Sequence, residues 1–337
     1  MYGDLLTMAN HLRKLVRPVV VLGLLTVIAI TPLEAFAATT PPLTGQALEI
    51  GPPVLNLTAN PGDTLHSSIE LRDISSSSLV VTNQVNDFTA QGEDGTPKVI
   101  LDPSITSPYS FKTWLASIPT INLKSRDVKT VPITIVVPQN ASPGGYYGIV
   151  RFTGTAPQVN GTGVSLNASL GALIFIRVKG TAQENVSISE FSSNNGKGAT
   201  DFFQSTPFSF LVRLQNNGNL YEQPTGLITI TDMFNHTVAT LPVNEGQSII
   251  LPQTIRKFNV SLDSSVLGDK VLFGKYHAHL DVTYGANSQK ISRDMNFTVL
   301  PVGLMLGGAI LVIILIVILG FAIRRYNKYI VSRAGNK

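Results

Sequence analysis

The chain has 337 residues, no cysteine and a formal net charge of +4. Eight of its 25 Lys and Arg lie in segments 1–37 and 324–337, leaving 17 against 19 Asp and Glu in residues 38–300, so the basic balance does not imply a nucleic-acid partner. The missing thiols exclude thiolate nucleophiles, cysteine-ligated zinc and iron–sulfur clusters, and in an exported chain they point to a bacterial or archaeal surface.

Residues 1–37 read as a secretory signal peptide. Arg13, Lys14 and Arg17 precede an apolar run over 19–30, and Ala35-Phe36-Ala37 offers the small residues behind which a signal peptidase cuts. Residues 38–47, with Thr and Pro prominent, would be an unstructured leader left by processing.

From Leu48 onward, period-two alternation is broken by Gly, Pro, Asn and Ser. Examples are Thr130-Val131-Pro132-Ile133-Thr134-Ile135-Val136-Val137, Gly148-Ile149-Val150-Arg151-Phe152 and Ala172-Leu173-Ile174-Phe175-Ile176-Arg177-Val178. Short runs rich in Val, Ile, Thr and aromatics predict antiparallel strands. No sustained amphipathic helical period occurs over 48–300, so the expected fold class is all-β. Ser75-Ser76-Ser77-Ser78 is read as a loop or strand connection.

A boundary falls near Gly180-Thr181-Ala182. A second strand set follows, including Phe208-Ser209-Phe210-Leu211-Val212-Arg213-Leu214, and Asn216-Asn217-Gly218-Asn219 after it is a turn signal because Asn and Gly tolerate positive φ. Two tandem immunoglobulin-like β-sandwiches are expected, at 48–180 and 181–300, sharing a loose plan in which Gly and Tyr precede a late strand. Residues 302–323 then form an uncharged run long enough to cross a hydrocarbon core of about 30 Å. The expectation is a single transmembrane helix over 301–323, with a basic cytoplasmic tail over 324–337 carrying Arg324, Arg325, Lys328, Arg333 and Lys337.

With the strands placed, a pattern emerges in the first sandwich: Ile121-Asn122-Leu123, then Val131-Pro132-Ile133-Thr134-Ile135, then Pro138-Gln139-Asn140-Ala141-Ser142-Pro143-Gly144-Gly145-Tyr146-Tyr147-Gly148. This resembles the peptidoglycan-binding domain of WxL-interacting proteins of Gram-positive bacteria. The resemblance implies a signal peptide, a peptidoglycan-binding immunoglobulin-like domain, a second sandwich that binds a partner protein, a transmembrane helix and a short basic tail. Function would then be attachment to peptidoglycan, retention of another surface protein, or both, at the cell membrane with the sandwiches outside. The alternative is a structural or accessory subunit of an envelope assembly without glycan affinity.

Aromatic rings are the physical means of holding sugars, whose apolar faces stack on them. Tyr109, Phe111 and Trp114 cluster in the loop-like stretch 104–118, and Tyr146 and Tyr147 are placed near them; together they are the candidate ligand-binding residues. The opposing reading puts Trp114 and a tyrosine in the core. His277 and His279 share a strand face, but two ligands make no site, so neither metal nor cofactor is expected. Asp87, Glu93 and Asp94 beside Gly92 and Gly95 read as a solvated loop, their spacing unlike an EF-hand. No G-x-S-x-G or S-x-x-K motif occurs, and the chain is expected not to be an enzyme. Eight N-x-[ST] sequons carry no weight here. Gly303 and Gly307 form a G-x-x-x-G in the apolar run, a spacing that also arises by chance.

Overall fold

A computed structural model describes residues 48–155 and 168–334. The signal peptide and leader expected over 1–47 lie outside the described residues, as do the last three residues of the expected tail.

The first sandwich is built from β1 (Leu48–Gly51), β2 (Val54–Ala59), β3 (Thr64–Asp73), β4 (Leu79–Gln91), β5 (Thr96–Ile100), β6 (Ile121–Leu123), β7 (Val128–Val136), β8 (Gly144–Thr155) and β9 (Ala168–Val178). One sheet has the order β1-β3-β7; the other runs β2-β9-β8-β4-β5, with β6 also on β4. Because side chains alternate across a strand, Ile69 and Leu71 of β3, Val131, Ile133 and Ile135 of β7, and Ala172, Ile174 and Ile176 of β9 all enter one core. Each large apolar side chain buried this way stabilises the fold by roughly 1.5–3 kcal/mol. The chain changes sheets at Gly51-Pro52-Pro53, so β1 pairs antiparallel with β3 and β2 parallel with β9. Two prolines there remove the donors that would continue the first ladder.

The second sandwich repeats this plan with β10 (Val186–Asn194), β11 (Phe202–Phe203), β12 (Phe208–Asn216), β13 (Thr225–Asp232), β14 (Thr237–Val243), β15 (Ile255–Leu262), a one-turn helix α1 (Ser264–Leu267), β16 (Gly274–Tyr284) and β17 (Gln289–Val299). Its sheets are β10-β12-β15 and β11-β17-β16-β13-β14. Here too the opening strand is split, and its second half, β11, runs parallel to the last strand, β17. Phe203 stacks on Phe208 at 3.8 Å, and Phe210 meets Phe297 edge-on at 5.6 Å in the core.

One local expectation changes, and the serine run, which does connect β3 to β4, gains an internal tie. In the 216–219 turn, Gly218 is required by close approach and not by positive φ: a Cβ there would sit 2.1 Å from the carbonyl oxygen of Gln183. In the serine run, Ser75 is buried, its amide and hydroxyl donating to Asp73 at 2.8 and 2.6 Å.

Helix α2 (Val302–Ala334) begins three residues after β17 ends. Among the described residues it is the one helix long and apolar enough to cross a membrane, over Val302–Asn327. It continues through the basic segment expected to be a separate tail, because nothing between Arg324 and Ala334 breaks a helix and the first glycine after Gly320 is Gly335.

Candidate functional site

The sheet containing β8 and β9 is apolar on both faces. Its inner face fills the first core; its outer face presents Tyr147, Ile149 and Phe175, joined by Phe88 of β4 and covered by Leu251, with Tyr221 and Ile249 packed alongside. Rings interlock there: Tyr109 stacks on Tyr147 at 5.6 Å, Phe88 meets Tyr147 at 5.1 Å, and Phe175 meets Tyr221 at 5.0 Å. Since Tyr221, Ile249 and Leu251 belong to loops of the second sandwich, this cluster joins the two. Burial pushes the Tyr221 hydroxyl up to about 12. Burial, then the neighbouring Tyr109 and Asp87 charges, raises that of Tyr147 as well.

Polar contacts fix the same junction. The Gly145 amide donates to the Asn219 carbonyl at 2.9 Å, and the Asn219 side chain donates to the Pro143 carbonyl at 3.1 Å while accepting from the Gln183 amide at 2.8 Å. A side chain at position 145 would strike Tyr221, whose ring carbon and backbone nitrogen lie 2.9 and 3.0 Å from an ideal Cβ, so glycine allows the approach. Arg177 pairs with Glu184. The loop expected to be solvated is instead a clamp: Glu93 of the β4–β5 turn accepts from Arg213 at 2.7 Å, and its carbonyl accepts the Lys257 amide at 2.8 Å. Asp87 is fully buried, 3.0 Å from the Lys112 ammonium.

The five aromatic residues singled out from sequence do not form one face. Phe111 is fully buried in the first core, where Gly148 leaves it room: an ideal Cβ at 148 would lie 2.9 Å from its ring. Tyr146 and Tyr147 are neighbours in β8, so they point to opposite faces. Tyr147 and Tyr109 go to the junction. Trp114, at the end of a single 3-10 turn (Lys112–Trp114), meets Tyr146 at 4.3 Å between ring centres, both half-buried. The Tyr146 hydroxyl donates to the Ser142 carbonyl at 3.1 Å. The expected aromatic surface is thereby reduced to the Trp114–Tyr146 pair. A cleft of about 440 Å³ opens beside the junction, walled by Val54, Phe88, Phe175 and Ile249, with Gln247 and Arg256 as polar groups.

At the far end of the second sandwich, exposed apolar side chains gather where α2 begins. Strand register puts Gly274 opposite Val299, Asp232 opposite Tyr276 and Phe202 opposite Thr298, so the 233–236 turn, Phe202 and the segment joining β15 to β16 share that end. Phe202, Met233, Phe234, Val266, Val271 and Phe273 are all exposed there, Phe234 by 70% and Phe273 by 55%. Only Leu227 is a large exposed apolar residue of this sandwich outside that end.

On the outer face of β16–β17, His277 and His279 are joined by Asp294, the residue paired with His279 across the ladder. His277 Nε2 and His279 Nδ1 lie 3.0 and 2.6 Å from the same oxygen, Asp294 Oδ1. That third group was missed from sequence because it is 15 residues from His279 along the chain. The Tyr284-Gly285-Ala286-Asn287-Ser288-Gln289 hairpin, with Tyr284 opposite Gln289, is the signal that could have found it.

No family model and no curated protein sequence matches the chain. Among solved structures it is similar to the class 5 fimbriae chaperone CfaA, at 15% identity over 74% of this chain and 98% of that one, with a TM-score of 0.40. It is also similar to the E. coli chaperone DraB, at 14% identity over 75% and 97% with a TM-score of 0.33. A third is the Salmonella enterica SafA pilin in complex with the SafB chaperone, at 9% identity over 75% and 96% with a TM-score of 0.36.

Proposed function

We propose that the chain is a single-pass surface protein whose two sandwiches stand outside the membrane as a binding module. The observation that carries this reading is the apolar end of the second sandwich: six large exposed side chains share the end from which an uncharged helix continues. Exposed apolar patches of this kind mark partner or lipid contacts, and a helix continuing from the same end makes lipid the economical occupant. Basic residues after the span, with none between Asn296 and Pro301, put the C-terminus in the cytoplasm by the positive-inside rule.

What the module holds follows from its resemblance to WxL-interacting proteins: peptidoglycan, or a second surface protein. The Trp114–Tyr146 pair supports a glycan contact, since two touching, half-exposed rings, tilted 48° to one another, offer apolar faces to a sugar. The cleft beside the junction supports a protein partner, because it is mainly apolar and large enough for two or three side chains. Protease added to intact cells should leave only a small membrane fragment; protected sandwiches would overturn the topology. Sedimentation with purified peptidoglycan tests the ligand. Trp114→Ala should weaken it by about 1–3 kcal/mol if that pair carries the contact, and undiminished sedimentation of the folded variant would remove the pair. If neither protein sediments, the cleft and a protein partner are the reading that stands.

A further inference from the structure

The outer face of β16–β17 carries a constellation that neither the core nor the junction uses. His277 and His279 are two apart on β16 and therefore project to one side of the sheet. Asp294 of β17 lies between them, and one ligand atom from each of the three falls within 4.8 Å of the others.

The outward nitrogens decide what this cluster can do. His277 Nδ1 is 3.0 Å from Asn296 Oδ1, and His279 Nε2 is 3.3 Å from Asp281 Oδ1. The outward partners are acceptors, as Asp294 Oδ1 is, and the tautomer with each N–H outward satisfies Asn296 and Asp281. The remaining lone pairs, His277 Nε2 and His279 Nδ1, then face Asp294 Oδ1. In that tautomer three electron-rich atoms converge on one point, an arrangement that a proton shared between His279 and Asp294, or a metal ion, relieves. Outer carboxylate and amide partners that fix ring tautomer and orientation are also the usual support of metal-bound imidazoles.

We propose that His277, His279 and Asp294 bind a divalent transition-metal ion, with Asp281 and Asn296 orienting the two rings. Two imidazoles and one carboxylate suit zinc and its neighbours better than calcium or magnesium. Zinc ligands at about 2.0–2.1 Å in a tetrahedron stand about 3.4 Å apart, which small rotations about the side-chain torsions reach from the observed 2.6 and 3.0 Å separations. Three protein ligands leave the fourth position to water or to a donor atom of a bound partner. The histidines are 43% and 38% exposed, so the ion would exchange with solvent.

The test is calorimetric titration of Zn²⁺ into the untagged full chain in detergent micelles after treatment with chelator. One equivalent should bind saturably, and His279→Ala and Asp294→Asn should each weaken it at least about tenfold. His236→Ala should leave it unchanged, since His236 pairs with Asp232 on a separate turn. Replacing zinc with Co²⁺ should give the intense visible bands of a four-coordinate site, lost in Asp294→Asn. Absence of saturable binding below about 1 mM, or equal affinity in Asp294→Asn, would overturn the proposal. Metal-free melting curves of both variants matching the parent would establish that lost binding reflects lost ligands.

Discussion

The closing hairpins of the two sandwiches, β8–β9 and β16–β17, occupy the same place in the same plan, yet their outer faces are opposites. On the first, Tyr147, Ile149, Leu173 and Phe175 lie under loops of the second sandwich. On the second, His277, His279, Asp281 and Asp294 stand in solvent. Inner faces differ little, since both supply aliphatic and aromatic side chains to a closed core. The outer positions alone decide whether a hairpin becomes a docking surface or a free one. A covered face needs apolar residues on both sides of the strand, while a free face keeps strict alternation.

The largest expected effect comes from opening the covered face. Phe175 is 3% exposed and touches Phe88, Tyr147 and Tyr221. Phe175→Ala should lower stability by about 3–5 kcal/mol, read from urea unfolding followed by the fluorescence of Trp114, the chain's only tryptophan. A loss under about 1 kcal/mol would mean that the face is not covered in solution and would end the comparison.

Next comes a pH effect at the same junction. Glu222, beside Tyr221, is 4% exposed, and burial, followed by the nearby Glu184 charge, raises its carboxyl to about 7. Its Oε2 accepts the Gly285 amide at 3.1 Å, while Oε1 has no protein partner. Below its unfolded value of 4.5 the acid is protonated in both states and contributes nothing to the pH slope. As pH rises from 4.5 to about 7 the unfolded chain loses the proton first, so stability falls by on the order of 2–3 kcal/mol and then levels off. Glu222→Gln should flatten that decline; an unchanged slope would assign it to other groups.

A smaller effect is expected at Asn219, whose side chain ties the segment between the sandwiches to the Pro143 carbonyl. Asn219→Ala removes both bonds and should cost about 1–2 kcal/mol. Limited proteolysis near residue 183 should quicken in the variant. Unaltered stability and cleavage would show that the aromatic cluster holds the junction without this tie.

Much of this fold is legible in the residues themselves. Alternation in Phe208-Ser209-Phe210-Leu211-Val212 matches the burial of β12, whose Phe208, Phe210 and Val212 are core. The uncharged run after Pro301 is a helix as composition requires. Harder to read is which strands are buried twice. Leu173-Ile174-Phe175-Ile176 is a continuous apolar stretch, and periodicity alone cannot say what covers its second face. The candidate glycan residues failed to form one surface for a reason the alternation already contained: adjacent Tyr146 and Tyr147 cannot share a strand face. Phe111 is core, packed beside Gly148 on a later strand, where a Cβ would lie 2.9 Å from its ring, a closeness its own neighbourhood in sequence does not signal. Asp294 joined the histidines only through the register of a hairpin.

The smallest expected effect tests the free face, and its smallness is the point. His279 lies on the outer side of β16, with Asp281 and Asp294 around it and Thr229 of β13 opposite it. In metal-free buffer, removing it creates no cavity and strands no buried donor, so His279→Ala should change stability by no more than about 0.5 kcal/mol. The hydrogen bond to Asp294 raises the imidazole's affinity for a proton, and that contribution fades as pH rises through the raised value. The variant should therefore differ from the parent slightly in acid, and the difference should vanish as pH rises through the raised value. A cost above about 2 kcal/mol at pH 8 has only one origin among the mechanisms that destabilise folded chains: this face would itself be packed against something. The contrast between the two hairpins would then be one of partners, not of exposure.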